Sequence, residues 1–290
     1  TAVVWSNVIP TQPLKMSIAA LALVGASALA VLGAFKRGGV SIPLNLSLLA
    51  VWLIPVAYFA ASIFSPSFVT SLVGASLDSD TVFFMAMAAL AFSVPFYVFE
   101  SKTDHMRALF VLLAVAWITA LFHLARLFFG ADTFAFGVMT NPLFSPLGKW
   151  NDVGIFFGLV SLLSLVSFES LHLKDTQRYI VAATLAVSLF FVALVNFVPV
   201  WAMLCVASLG IVLYRFMVAR ESGQFSVAAT IVFCLALVAL IFTGSIGASL
   251  ARSFNVEQIE ARPSWGSTIA VAQQTLAKEP VFGSGPNTFL

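Results

Sequence analysis

The sequence predicts an all-α protein that crosses a membrane several times. Of its 290 residues, 61% are hydrophobic and 9% are charged, whereas charged residues make up about 25% of an ordinary soluble domain. The apolar residues lie in runs of about 20, the length that a helix needs to cross a hydrocarbon core of ~30 Å. Because lipid offers no hydrogen-bond partner to the backbone, these runs must fold as helices.

About eight runs have this character, and they define the predicted architecture. We expect residues 1–243 to form a transmembrane helical body and residues 244–290 to begin a large external loop that carries a short amphipathic helix. A tight turn at residues 196–199 separates the sixth run from the seventh. The predicted spans are residues 16–35, 43–64, 81–99, 108–129, 152–168, 179–197, 200–217 and 225–243.

Basic residues predict which connections face the cytoplasm. On one side every connection carries its own pair of Lys or Arg residues. The interspan loops on the other side, residues 65–80, 130–151 and 196–199, contain Lys149 alone. By the positive-inside rule the first side is cytoplasmic, so both chain ends and the longer loops lie outside. The cytoplasmic pairs are Lys36 with Arg37, Lys102 with Arg107, Lys174 with Arg178, and Arg215 with Arg220.

The polar tail contains the leading candidate for a binding residue. Apolar residues recur at helical spacing from Trp265 to Leu276, and Pro280 ends the pattern. Arg262 therefore precedes a helix, where backbone N–H groups and the helix dipole already favour an anion. This placement predicts a phosphate or pyrophosphate site. The alternative is that Arg262 pairs with Glu257 or Glu260, or contacts lipid headgroups.

Five further residues near the predicted outer face are candidates, each with a structural alternative. His123 and Arg126 are spaced i, i+3 in the fourth span, where ionisable groups are functional candidates. A histidine there can also bond a neighbouring helix, and an arginine can extend to the interface. Arg252 can likewise extend to the interface, or it can make a second contact to a phosphate. Lys149 can meet a headgroup or phosphate, and Asp152 is expected to cap the fifth span.

Composition and motifs exclude several other functions. The net charge is +2 and the basic residues are scattered, so we predict no nucleic-acid partner. Cys205 and Cys234 lie inside spans, where packing is the simplest role. The sequence contains no Walker motif, no His/Cys metal cluster and no run of acidic residues along the spans. We therefore predict neither a metal nor another cofactor.

The tail and two earlier segments resemble a family. The sequence is similar to the bacterial O-antigen ligase and O-antigen polymerase group of multispanning membrane glycosyltransferases. In that group an arginine, a nearby tryptophan, a short helix and a P-x-x-G-x-G turn open the large external loop, as residues 262–289 do here. Weaker matches are residues 42–67, at an early span pair, and residues 148–152, at the entry to a middle span.

The resemblance implies an activity and its location. Members take a glycan from an undecaprenyl-pyrophosphate carrier and pass it, without metal, to a lipid, protein or growing-glycan acceptor. The reaction takes place on the outer face of the bacterial cytoplasmic membrane, so membrane lipids are further partners. External arginines are implicated in holding the pyrophosphate, and a histidine later in the loop in activating the acceptor.

Carried over by position, Arg262 is the predicted pyrophosphate-binding residue. The family has another arginine in the outer turn that corresponds to residues 196–201, where this sequence has none, and Arg252 or Lys149 is the predicted replacement. Trp265, with the candidates of the fourth and fifth spans, would support the site. The catalytic histidine is expected beyond Leu290, so these residues would be part of a longer enzyme and inactive alone.

Two other functions remain open. A transporter or flippase for an anionic or lipid-linked substrate would use His123 and Arg126 as a pathway pair and Arg262 as an external gate. The spans show neither paired midplane charges nor an inverted repeat, which are typical of transporters. A non-catalytic membrane scaffold would need none of the charges on the outer face.

Overall fold

The computed structural model describes the chain as a set of helices. It describes residues 11–36, 45–74, 80–99, 101–134, 143, 145–218, 226–242, 249–254, 256, 265–278, 280, 283 and 285–286. All the regular elements in these ranges are helical, which confirms the predicted fold class. The helices are α1 (Thr11–Lys36), α2 (Leu46–Ile63), α3 (Phe68–Val73), α4 (Val82–Val98), α5 (Lys102–Phe129), α6 (Trp150–Ser170), α7 (Asp175–Val195), α8 (Val198–Val218), α9 (Val227–Ile241) and α10 (Trp265–Lys278).

Six of the described helices are long and apolar enough to cross a membrane. They are α1, α2, α5, α6, α7 and α8, with mean hydropathies of 1.8 to 2.3 over their spanning windows. Two shorter apolar helices, α4 and α9, lie where the third and eighth spans were predicted. The protein is therefore a multi-pass membrane protein, and six of the predicted spans meet this length criterion.

Local side chains explain where α5 begins. It starts at Lys102, about one and a half turns before the predicted apolar run, because Ser101 and Asp104 cap it reciprocally. The backbone N–H of Ser101 donates to Oδ2 of Asp104 over 3.1 Å, and the backbone N–H of Asp104 donates to Oγ of Ser101 over 3.2 Å. Such capping satisfies backbone donors that a helix start leaves unpaired. The helix therefore extends past its apolar segment into a charged turn.

The predicted tight turn between α7 and α8 is confirmed. Asn196 closes α7 in the left-handed conformation (φ 50°, ψ 42°), and its N–H donates to the carbonyl of Val192. Asparagine tolerates this conformation better than most residues. The next helix begins at Val198, and Pro199 falls in its first turn, where a missing N–H costs little.

The chain forms two compact units. Unit 1 comprises residues 1–105 and 261–290, and unit 2 comprises residues 106–260. Within unit 1, α4 packs against α1, α2 and α3. Gly285, in the tail after α10, also belongs to unit 1. It has a positive φ of 88°, and a Cβ built on it would lie 2.5 Å from Cβ of Ser65. A glycine is therefore required where the tail meets the loop after α2.

Unit 2 is built around α6, whose small residues allow neighbouring helices to approach closely. A Cβ built on Gly154 would lie 2.8 Å from Cγ1 of Val195, and one built on Gly158 would collide with Cγ1 of Val200. Close packing at small residues is a main source of helix association in membranes. The core of this unit includes stacked Phe157 and Phe191, with ring centroids 4.4 Å apart.

The amphipathic tail helix is confirmed as α10. It runs from Trp265 to Lys278 and stops before Pro280, as the spacing predicted. Its apolar residues Ile269 and Leu276 are more than half exposed. The division of the chain into a membrane body and an external loop after residue 243 stays a prediction.

Candidate anion-binding site

A cavity of about 260 Å³ lies in unit 2 near the C-terminal end of α5 and the N-terminal end of α6. His123, Arg126 and Leu127 line it from α5, and Trp150 lines it from the first turn of α6. The remaining wall comes from Gly130 and Ala131, which follow α5, and from Phe254 and Val256 in the tail. The i, i+3 spacing on α5 thus brings both predicted ionisable residues to one cavity.

His123 is fixed by aromatic packing and by one hydrogen-bond partner. Its side chain is 2% exposed, and the rings of Trp150 and Phe191 meet it edge-on, with centroids 5.8 Å and 6.0 Å away. Its Nε2 lies 3.2 Å from Oγ of buried Ser145. The same oxygen also accepts the backbone N–H of Leu147 over 3.1 Å, so Ser145 links the imidazole to the loop before α6. The partner of His123 is therefore a loop residue, where the sequence suggested a neighbouring helix.

Arg126 is buried within the unit. Only 5% of the residue is exposed, so it does not extend over the surface as a snorkelling arginine would. Its guanidinium carbon lies 5.5 Å from the centroid of the Phe122 ring, a cation–π distance. The carboxylate of Asp132, in the turn after α5, also interacts with it electrostatically. Arg126 thus lines the cavity with an aromatic ring near its guanidinium and an opposite charge on Asp132.

The start of α6 confirms the capping role predicted for Asp152. Its Oδ2 accepts the backbone N–H of Lys149 over 2.7 Å, and the N–H of Asp152 donates to the carbonyl of Lys149 over 2.9 Å. A Cβ at Gly148, where φ is +154°, would collide with the same carboxylate. The loop therefore needs glycine at this point. Lys149 itself is exposed and directly precedes Trp150 of the cavity wall.

The tail contributes residues that the sequence did not single out. Phe254 meets the rings of Phe128 and Phe190 edge-on, each with a centroid distance of 6.1 Å. Val256 is 2% exposed, and its N–H donates to the carbonyl of Ala251 over 3.0 Å. These contacts fix Phe254 and Val256 within unit 2. Arg252, which is exposed, lies two residues before Phe254.

The binding role of every candidate residue stays a prediction, and the two remaining candidates lie partly or wholly outside the described residues. Arg262 lies outside the described residues. Trp265 begins α10, but its side chain lies outside them as well. The structure therefore assembles His123 and Arg126 in one cavity and places Lys149 and Arg252 next to lining residues in the chain.

Comparison with protein-family models, with curated proteins and with solved structures finds no match for this chain.

Proposed function

We propose that the cavity lined by Arg126 binds the pyrophosphate of a polyprenyl-linked glycan. The protein would then transfer the glycan to a lipid, protein or growing-glycan acceptor on the outer face of a bacterial cytoplasmic membrane. The observation that carries this proposal is the burial of Arg126, 5% exposed, in the wall of a cavity at the end of a membrane helix.

A buried arginine at this position favours an anionic ligand. Removing a guanidinium from water is costly unless other groups compensate for it. The aromatic ring of Phe122 and the charge of Asp132 compensate in part, and a bound phosphate would add charge-assisted hydrogen bonds in the bidentate geometry that arginine favours. Exposed Lys149 and Arg252 would attract the anion towards this end of unit 2.

The size of the cavity supports a headgroup rather than a whole glycan. Pockets for small molecules usually measure about 300–1,000 Å³, and this one measures about 260 Å³. It would accommodate the diphosphate, while the prenyl chain stays in lipid and the sugars extend into water. Its mixed wall of two ionisable and several apolar residues suits such an amphiphile.

The proposed reaction requires stabilisation of a charged leaving group. An acceptor oxygen forms a bond to the anomeric carbon, and the bond from that carbon to the pyrophosphate oxygen breaks. The electron pair leaves with the polyprenyl pyrophosphate, whose negative charge increases. Arg126, with Arg252 or Lys149, would stabilise that charge as preorganised positive groups. The resemblance assigns the acceptor proton to a histidine in a later part of the external loop.

We further propose that α4 and α9 also cross the membrane, which makes eight spans. The 15 residues of α9 extend about 22 Å at ~1.5 Å per residue, and a bilayer can thin locally around a short helix at modest cost. Eight crossings would put the residues before α1 and the tail after α9 on the same face.

A reconstituted transfer assay tests the function. The protein, expressed from its complete reading frame, is placed in vesicles with a polyprenyl-pyrophosphate donor that carries a labelled glycan and with a candidate acceptor. We expect the label to move to the acceptor, and we expect Arg126→Gln and Arg262→Ala to reduce the rate by tenfold or more, roughly the effect of one charge-stabilising group. Movement of the intact donor across the bilayer without transfer would instead favour a transporter. The absence of both activities would favour a scaffold.

A further inference from the structure

The other end of unit 2 contains a larger groove with a charged end and an apolar end. It has a volume of about 640 Å³ and lies between α6 and α8. Glu169, His172 and Arg215 line it near the helix ends. Val166, Ala207 and Ile211 line it further along the same helices. The stretch from residue 207 to residue 215 extends about 12 Å along α8 at ~1.5 Å per residue.

Arg215 is positioned by one neighbour on α6. Its Nη2 donates to the backbone carbonyl of Glu169 and lies 3.7 Å from Oε2 of the same residue. These two contacts engage Nη2, and a guanidinium has five N–H donors. About a third of the Arg215 side chain is exposed, compared with 11% of Glu169. The fixed guanidinium is therefore accessible to a ligand.

A second cation lies beside the first. An adjoining cavity of about 270 Å³ shares Glu169 and Arg215 with the groove and adds Arg178 and Ser226. Arg178 is placed over the ring of Phe168, 4.6 Å from its centroid. Lys174, Arg178 and Arg215 outnumber the acidic residues Glu169 and Asp175 at this end of the described part of unit 2. The local charge is positive.

The apolar part of the groove has open space beside Gly210. A Cβ built on Gly210 meets no atom within 4 Å, and Ala207 lies one turn away on the same helix. Tyr214 and Leu171 at the groove are exposed by 64% and 41%. In a protein with membrane-spanning helices, such a groove between two helices offers room for a lipid chain.

We propose that this groove binds an anionic phospholipid, with its phosphate on Arg215 and one acyl chain against Gly210. Basic pockets between membrane helices bind anionic headgroups, and the apolar half of the groove has no use for a free phosphate ion. The site lies at the opposite end of α6 from the cavity of Arg126, so it is separate from the proposed donor site.

Binding of phosphatidylglycerol to the detergent-purified protein, measured by native mass spectrometry, tests this proposal. Gly210→Leu fills the groove and leaves the ion pair intact, whereas Arg215→Gln removes the cation. Each change is expected to weaken binding roughly tenfold or more, the scale of one charge-assisted hydrogen bond or of a few buried methylenes. Thermal unfolding of each variant is the control for correct folding.

Two matched controls make the result specific. Gly25→Leu adds the same volume at another helical glycine with open space around it, and Lys102→Gln removes an exposed cation that lines neither cavity. Both are expected to bind phosphatidylglycerol like the unchanged protein. Equal binding by all four variants would overturn the proposal, because the lipid would then be general solvation. Competition by glycerol 3-phosphate as strong as that by the intact lipid would overturn it too, since the acyl chain would contribute nothing.

Discussion

Replacing Arg126 with glutamine is expected to weaken the binding of a polyprenyl pyrophosphate roughly 10- to 100-fold. A hydrogen bond to a charged group contributes about 1.5–3 kcal/mol, and each 1.4 kcal/mol changes the dissociation constant about tenfold. Arg126→Lys should lose less affinity, because it keeps the charge but loses the bidentate fork. The measurement is the affinity of the purified protein for a fluorescent polyprenyl pyrophosphate.

The same experiment with unphosphorylated polyprenol separates binding from folding. If Arg126 only supports the packing of α5, its replacement should reduce the affinity for both lipids alike. If Arg126 binds the phosphates, its replacement should reduce the affinity for the pyrophosphate lipid alone. Lys102→Gln is the matched control, because Lys102 is exposed and lines neither the cavity of Arg126 nor the groove of Arg215. An equal loss of affinity in Lys102→Gln and Arg126→Gln would contradict the assignment.

Replacing Gly158 with leucine is expected to prevent stable folding of unit 2. The first added carbon alone would collide with Cγ1 of Val200, which is itself buried, so α6 and α8 must separate. Overpacking by single methylenes costs about 1–3 kcal/mol, and leucine adds four carbons. The total stability of a protein is only about 5–15 kcal/mol. Reversible unfolding in mixed micelles, or the yield of folded protein, measures the effect.

A graded series checks the physical reason for this loss. Gly158→Ala should cost about 1–3 kcal/mol, and adding Val200→Ala should restore part of that loss by removing the colliding methyl groups. A double-mutant cycle would give this coupling directly. Gly210→Leu, at an open position of α8, should keep the protein folded. Normal stability of Gly158→Leu would show that the two helices do not approach as closely as the structure describes.

The helical framework was predictable because it follows from local properties of the chain. Lipid forces each long apolar run into a helix, and Asp152 at the start of α6 is a capping pattern visible in the sequence. The boundary of α5 was missed by about six residues, because capping by Ser101 and Asp104 extends it beyond the apolar segment. The six-residue helix α3 was not predicted, since so short a segment in a loop has no clear periodicity.

The cavity was only partly predictable. Spacing of three residues along a helix places His123 and Arg126 on one face, and the sequence identified both. It did not identify Ser145, Phe254 or Val256, because their places depend on how two loops return to the helix bundle. The sequence contained only a weak indication for Phe254 and Val256. They are apolar residues in a polar tail, which is a pattern that burial would explain.

Photo-crosslinking of the donor lipid identifies the residues that lie beside its phosphates. A polyprenyl pyrophosphate with a diazirine on the isoprene unit next to the phosphates is activated in vesicles that contain the protein, and the labelled residues are mapped by mass spectrometry. We predict labels near the cavity wall, at residues 123–131, Trp150, Phe254 and Val256, that excess unlabelled pyrophosphate lipid removes. Labelling confined to the groove of Arg215, or labelling that the competitor does not reduce, would contradict the claim that Arg126 and its cavity bind the donor.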